Sequence, residues 1–424
     1  MTLETIRLAA QEVASSNRLS WLQPLRSAAL SRIELDGLPT KALEEWRYTD
    51  IGPALAMQTE TCIPSEEQSS PALLSGGGSI VFTTGESVFA AGHAEIGEPG
   101  LKMRSFRELA SEERASIAAL MGTLSGLKCS SIADLNMALL DDGMLLEIAP
   151  EAELSRPVEI MIGNSTRQQS RIVVRLGAGA TATSVAHHRH GGSQVTNTVF
   201  DIEAGPGSRL SLLRLQVESQ TATHLSCLRL LLEADAEVSL QQLDLGGHLS
   251  RSELLAALQG ADSRLQSHSL LLADSDRHVD QYSRVAHIGE RSTSRQVVRS
   301  IADGTGRAVF NGRIVVAKTA SGTDAALTNQ NMLLSGGAEI DTRPELEIDT
   351  DDVRCSHGAT TGQLDVNSLF YLRSRGIDLE TARQMLIGAF ARSIVEQTPA
   401  LIPKAALEAL LARQRPEWSN WSSL

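Results

Sequence analysis

The chain has 424 residues and a formal net charge of -13, with 42% hydrophobic and 3% aromatic residues, and its mean hydropathy is -0.08. These values point to a folded, water-soluble chain large enough for two or three structural units. They speak against a transmembrane helix, because no run of about 18 apolar residues occurs, and against a dedicated nucleic-acid surface, because no basic block occurs.

The N-terminus, MTLETIRLAAQEVASSN, is amphipathic and carries acids among its first residues, so it lacks the pattern of a signal peptide. A cytoplasmic location is expected. Cys62, Cys129, Cys227 and Cys355 lie far apart with no CxxC pair, which suits a reducing compartment.

Along the chain, Leu3, Ile6, Leu8 and Val13, and then Leu22, Leu25, Ala29 and Ile33, follow helical spacing, with Pro24 separating or kinking helices. Thr40 in GLPTKALEEWRYTDI is expected to cap a helix N-terminus. A Ser-, Glu-, Pro- and Gly-rich stretch from about 58 to 78 reads as an exposed connector, followed by a short strand, SIVFTT. LASEERASIAALM and SSIADLNMALL return to helical spacing. Residues 1–142 are therefore expected to form a mainly helical region with a short strand segment.

From about 143 short alternating runs take over: MLLEIA, VEIMIG, RIVVRLG, TNTVFDIEA, LSLLRLQVE and LRLLLEA. Small-residue turns restart them at LGAGATA, IEAGPGSRL, LEADAEVSL and LQGADSRL, at spacings of 26, 30 and 26 residues. A period of that size, with two short strands per repeat, predicts a parallel β-solenoid over 143–362. A sandwich also alternates in this way, whereas a propeller blade is longer and usually aromatic-marked.

After Gly376 a helix is expected to begin beyond Asp378, with Ala382, Met385, Leu386, Ala389 and Phe390 on one face. KAALEALLARQ forms a second helix after Pro403, and the tail from Pro416 is expected to be loose. Residues 363–424 thus read as a C-terminal helical domain.

The chemistry concentrates in DDVRCSHGAT. On a strand Cys355 and His357 project to the same face, roughly 6 to 7 Å apart at the backbone. A thiolate and an imidazole suit a soft or borderline metal, but they are half of a tetrahedral set, so a complete site borrows ligands from elsewhere. The same pair read as a nucleophile and base would define a stand-alone metal- or thiol-dependent enzyme, but an extended strand holds them too far apart for the contact such a pair needs. The bland reading is a buried cysteine beside a solvated histidine.

Glu345, Glu347, Asp349 and Asp351 would share one strand face, either as hard ligands or, more ordinarily, as a solvated face guarding a sheet edge. In AHHRH, His188 and His190 share a face and His187 does not, and surface polarity is the expected account. His278 and His287 flank DQYSRVA and could line a coil as candidates, although an isolated strand histidine is usually structural. GTGRAVFNG lacks the phosphate-loop spacing and reads as a turn between strands, and no dinucleotide fingerprint or GxSxG elbow is present.

GRAVFNGRIVV at 306–316, TDAALTNQNMLLS at 323–335, DTRPELEIDTDDVRCSHGATTG at 341–362 and FYLRSRGI at 370–377 resemble the SufB/SufD proteins of the SUF iron-sulfur cluster assembly machinery. LPTKALEEWRYTD is similar to the same family's early motif. Chain length and the four scattered cysteines resemble the SufD branch rather than SufB.

The resemblance implies a right-handed parallel β-helix flanked by helical regions. It also implies a non-catalytic scaffold subunit working with SufB and the ATPase SufC in nascent cluster formation and iron acquisition. No tightly bound cofactor is implied for the isolated chain, only transient iron or a cluster in the complex. A homodimer is expected when the chain is isolated.

Residue by residue, the resemblance assigns His357 as a ligand at the SufB interface, opposite a SufB cysteine, with Cys355 as its neighbour. It places SufC docking at about 370–413, where Arg373, Arg375, Gly376, Met385 and Phe390 are the candidate contacts.

Overall fold

The computed structural model describes residues 2–16, 19–56, 73–74, 80–83, 90–91, 98–127, 130–163, 169–189 and 195–414. Most of the connector expected at 58–78 and the tail from Pro416 lie outside them, as do Cys62, Cys129 and His190.

Small residues at regular intervals dictate the architecture. From Met144 to Gly362 the chain passes alternately between two sheets, and each strand between the ends of the stack pairs in parallel with the strands one coil before and one coil after. Thr223 lies beside Leu249, Leu249 beside His278, and His278 beside Arg307, so each coil repeats the register of the last. The result is a parallel β-solenoid of about seven turns, flanked by N- and C-terminal helices. Parallel pairing between non-consecutive strands excludes the sandwich.

One corner of every coil turns through a residue in the left-handed region: Glu151, Gly179, Gly207, Asp235, Asp262, Arg291 and Gly322, with φ from 52° to 75°. Each donates its N–H to a carbonyl of the next coil, at Ala178, Pro206, Ala234, Ala261, Glu290, Ser321 and Asp352, over 2.8 to 2.9 Å. Gly and Asp tolerate this conformation cheaply. Arg291 is held there by two hydrogen bonds to Asp262 of the preceding coil, at 3.0 and 2.7 Å.

Alternation along each strand fills the bore. Leu176, Ile202, Leu232 and Leu258 pack beside the left-handed corner. Polar side chains meet toward the opposite corner, where Gln242 and Gln281 both donate to Ser269, at 3.2 and 3.0 Å, and Ser283 donates to Gln296 at 2.6 Å.

On the outer wall of one sheet the helix Ser131–Leu139 covers a buried cluster in which Arg171 and Arg229 grip Asp201, at 2.8 and 2.6 Å. Burial alone would raise the Asp201 carboxyl. The two guanidinium groups outweigh it and hold the acid below its ordinary range.

The N-terminal helices are Leu3–Ser15, Gln23–Asp36, the short Gly52–Ala56, Ser111–Leu127 and Ser131–Leu139, with Pro24 in the first turn of the second, where its missing N–H costs nothing. Thr40 does not cap a helix. Its hydroxyl accepts from the Ala42 N–H at 3.3 Å in a turn, and a single 3-10 turn, Glu44–Trp46, follows. Trp46 is instead buried on the solenoid wall, with the Arg251 guanidinium 4.3 Å from its ring.

The histidine tract also departs from expectation. His187 and His188 occupy opposite faces of the strand Thr181–His188, but both are fully buried, so surface polarity is not their role. His187 Nδ1 lies 2.9 Å from Glu159, whose carboxylate also accepts the N–H groups of Leu73 and Leu74. His188 lies in the bore edge-on to His224, with ring centres 4.8 Å apart, and burial holds it neutral.

His287 is structural. His287 spans Ser292 and Ser294, at 2.8 and 2.9 Å, and burial lowers its pKa to about 4.

Two expectations follow. A Cβ at Gly207 meets open space, so the cost of Gly207→Ala comes from its φ of 66° alone. The variant should lose about 1–2 kcal/mol in chemical denaturation, and an unchanged midpoint would refute the corner's backbone requirement. Second, His287 is neutral in the fold, while the unfolded chain takes up its proton near the ordinary imidazole value of 6.5. Stability is therefore fully present above that pH and falls on acidification toward 4, by up to ~3 kcal/mol from this residue. Denaturation curves across that window should be flatter for His287→Gln.

Candidate functional site: the open end of the solenoid

Among the described residues, the last strands of the two sheets, Glu339–Ile348 and Val353–Gly362, have a neighbour on one side only. Register carries the bore's inward positions onto them: Ala325 pairs with Cys355 and Leu327 with His357. Ala325 and Leu327 are buried in the last closed part of the core, so Cys355 and His357 point along the same lane at the uncovered end. Cys355 is half-buried at its apolar rim beside Val353, and His357 is exposed.

Burial pushes the Cys355 thiol above its ordinary range, opposite to what an activated nucleophile needs. The strand keeps the imidazole two residues away on the same face, which is not the arrangement of a nucleophile beside its base. Among the described residues no three His, Cys, Asp or Glu side chains converge tightly enough to hold a metal ion.

The four acids of the sequence motif do not share one strand face. Glu345 and Glu347 lie on the edge strand, whereas Asp349 and Asp351 lie beyond its end, in the corner. Glu345 is engaged by Arg313 and Arg343, each at 2.5 Å, and Arg343 also reaches Glu44 of the N-terminal segment. Charge thus lines the exposed edge, as natural sheets use it to discourage indiscriminate pairing.

Beyond the open end come the helices Val366–Ser374, Leu379–Val395 and Lys404–Gln414. Asp365 and Asp378 cap the first two, each carboxylate accepting backbone N–H groups of the first turn. Gly376, with φ 87°, closes the first helix in a Schellman arrangement, its N–H going to Arg373 and that of Ile377 to Leu372. Its role in the fold is this turn.

The helical face read from the sequence is rotated. Ala382, Ile387, Ala391, Ile394 and Val395 are buried, whereas Ala389 is exposed and Met385 half-buried. Phe390 turns toward the solenoid, where Arg299 stands 4.7 Å from its ring and donates to its carbonyl at 2.5 Å. Arg373 and Arg375 are exposed, and Arg375 lies against Tyr371, 5.0 Å from the ring centre.

Sequence reasoning missed Val366 and Phe370, exposed by 73% and 74%, on a helix with no buried residue. The signal was present in the apolar residues of VNSLFYLRS.

Residues 160–390 match the family model described as SUF system FeS cluster assembly, SufBD core domain. The iron-sulfur cluster assembly protein SufD of Escherichia coli (strain K12) is 30% identical over 402 residues, covering 92% of each chain. An iron-sulfur cluster assembly SufBD family protein of Synechocystis, slr0076, is 26% identical over 433 residues, covering 95% of this chain and 92% of that one.

Proposed function

The chain belongs to the SufB/SufD family of SUF-system iron-sulfur cluster assembly proteins, and from that premise we propose that it is a scaffold subunit whose open solenoid end forms one half of a cluster-building site. The observation that carries this reading is the lane position of His357 and Cys355 at an uncovered rung, with no third ligand converging on them among the described residues. Iron or a nascent cluster is the cargo. A second SufB/SufD-type subunit, SufB, covers the edge strands and completes the ligand set, with His357 the principal donor from this side.

Thiolate and imidazole are donors that suit iron and iron-sulfur chemistry. Energy from ATP enters through SufC, for which the helix Val366–Ser374 offers an exposed apolar and aromatic face with Arg373 and Arg375 at its end. Among the described residues no helix is long and apolar enough to cross a membrane, and a reducing compartment fits a site built on a thiol.

Co-expression with SufB and SufC tests both halves. His357→Ala should leave the three-protein complex intact and lower its iron and acid-labile sulfide content severalfold. Unchanged content would remove His357 from the site.

Phe370→Asp should weaken capture of SufC by about tenfold or more, as expected for a central aromatic contact, while the thermal midpoint of the isolated chain stays within a degree of wild type. Full SufC binding by the variant would place the docking face elsewhere.

A further inference from the structure

Between the segment 41–54 and the solenoid wall lies a cleft of about 440 Å³, within the size range of small-molecule sites. Its floor is a stripe formed by the first residues of strands in five successive coils. Val195 lies beside Thr223, Thr223 beside Leu249, Leu249 beside His278 and His278 beside Arg307. At roughly 4.8 Å per strand, the stripe runs about 19 Å along the solenoid axis.

The chemistry changes along that length. Val195 and Leu249 flank Thr223 in the floor's first three coils, and Ala54 of the roof packs against the same hydrophobic cluster as the two apolar residues. The far end carries His278 and Arg307, with Lys41 in the roof.

Arg307 is shared with Asp341 at 2.7 Å and Glu339 at 3.4 Å, and its guanidinium stands 5.3 Å from the Tyr48 ring. Lys41 is exposed. Of the nearby acids, Asp50 accepts the Gly52 N–H at 2.9 Å, and Asp276 faces His248 at 3.8 Å.

His278 has a defined tautomer. The Thr49 hydroxyl touches both the Asp280 carboxylate and His278 Nε2, the latter at 2.9 Å. A carboxylate only accepts, so the single hydroxyl hydrogen goes to Asp280, and Thr49 accepts from Nε2–H. Burial first, then Arg307, Arg251 and Lys41, depress the imidazole against the pull of Asp280 and keep it neutral. Nδ1 therefore keeps its lone pair in a side chain that lines the cleft.

We propose that this cleft binds a small amphiphilic anion. Its carboxylate or phosphate head lies against Lys41 and Arg307 beside His278, and its apolar body runs over Leu249 toward Val195.

Isothermal titration of the full chain tests this with hexyl phosphate and hexanoate, using inorganic phosphate as a head-only probe and hexanol as a tail-only probe. At least one amphiphile should bind at one site per chain, about tenfold or more tighter than either half, because a charge-assisted contact and apolar burial each contribute on that scale. The stronger of the two identifies the head group.

Lys41→Gln and Ala54→Trp should each weaken that binding about tenfold or more without changing the thermal midpoint. The proposal is overturned by no saturable heat with either amphiphile. It is equally overturned by hexanol or inorganic phosphate binding as tightly as the amphiphile, or by affinity unchanged in both variants.

Discussion

Everything in the solenoid depends on one repeated interaction: the N–H of a left-handed corner residue donating to a carbonyl of the next coil. From Glu151 to Gly322 it recurs with almost constant length. A parallel sheet has no tight turn to set its register, since its partners lie a full coil apart in sequence. The corner supplies that setting. Where Gly or Asp occupies it the backbone cost is small, and where Arg291 does, a two-pronged contact to Asp262 of the coil below compensates. Register fixed at the corner then propagates along both strands, because a slip of one residue would turn every bore-facing leucine outward.

The same periodicity that makes the fold legible in sequence hides its exceptions. Restarting turns at 176, 202, 232 and 258 identified the corners themselves, and alternation identified the strands. Burial of the outer wall was not legible. Nothing local tells a strand that a helical layer will cover its second face, so His187 beside Glu159 and Trp46 on Arg251 read as surface residues or as part of a helix. The phase of the helix Leu379–Val395 failed for a related reason. Its apolar residues almost encircle it, and only the solenoid wall, where Arg299 reaches Phe390, decides which of them turn inward.

The candidate site was half legible. Strand alternation places Cys355 and His357 on one face, and that is how they stand. That this face is the bore lane of an uncovered rung requires counting coils to their end, which depends on where the repeat stops rather than on any motif. The exposed apolar face at Val366 and Phe370 likewise depends on what does not pack there.

Ending the stack is enough to create the site. In the lane that includes Gln296, Leu327 and His357, each residue sits above the last. Leu327 is buried because a further coil lies over it, and its successor is exposed because none does. At such a position an apolar side chain would leave a hydrophobic end open to indiscriminate stacking. A histidine answers that liability with a group that water solvates and that metal or a partner can claim. Ala325 followed by Cys355 repeats the logic at the rim, where partial burial pushes the thiol above its ordinary range. Under the proposed function, recognition and chemistry at this end would be one device: the rung whose sheets a partner would extend is the rung that carries Cys355 and His357.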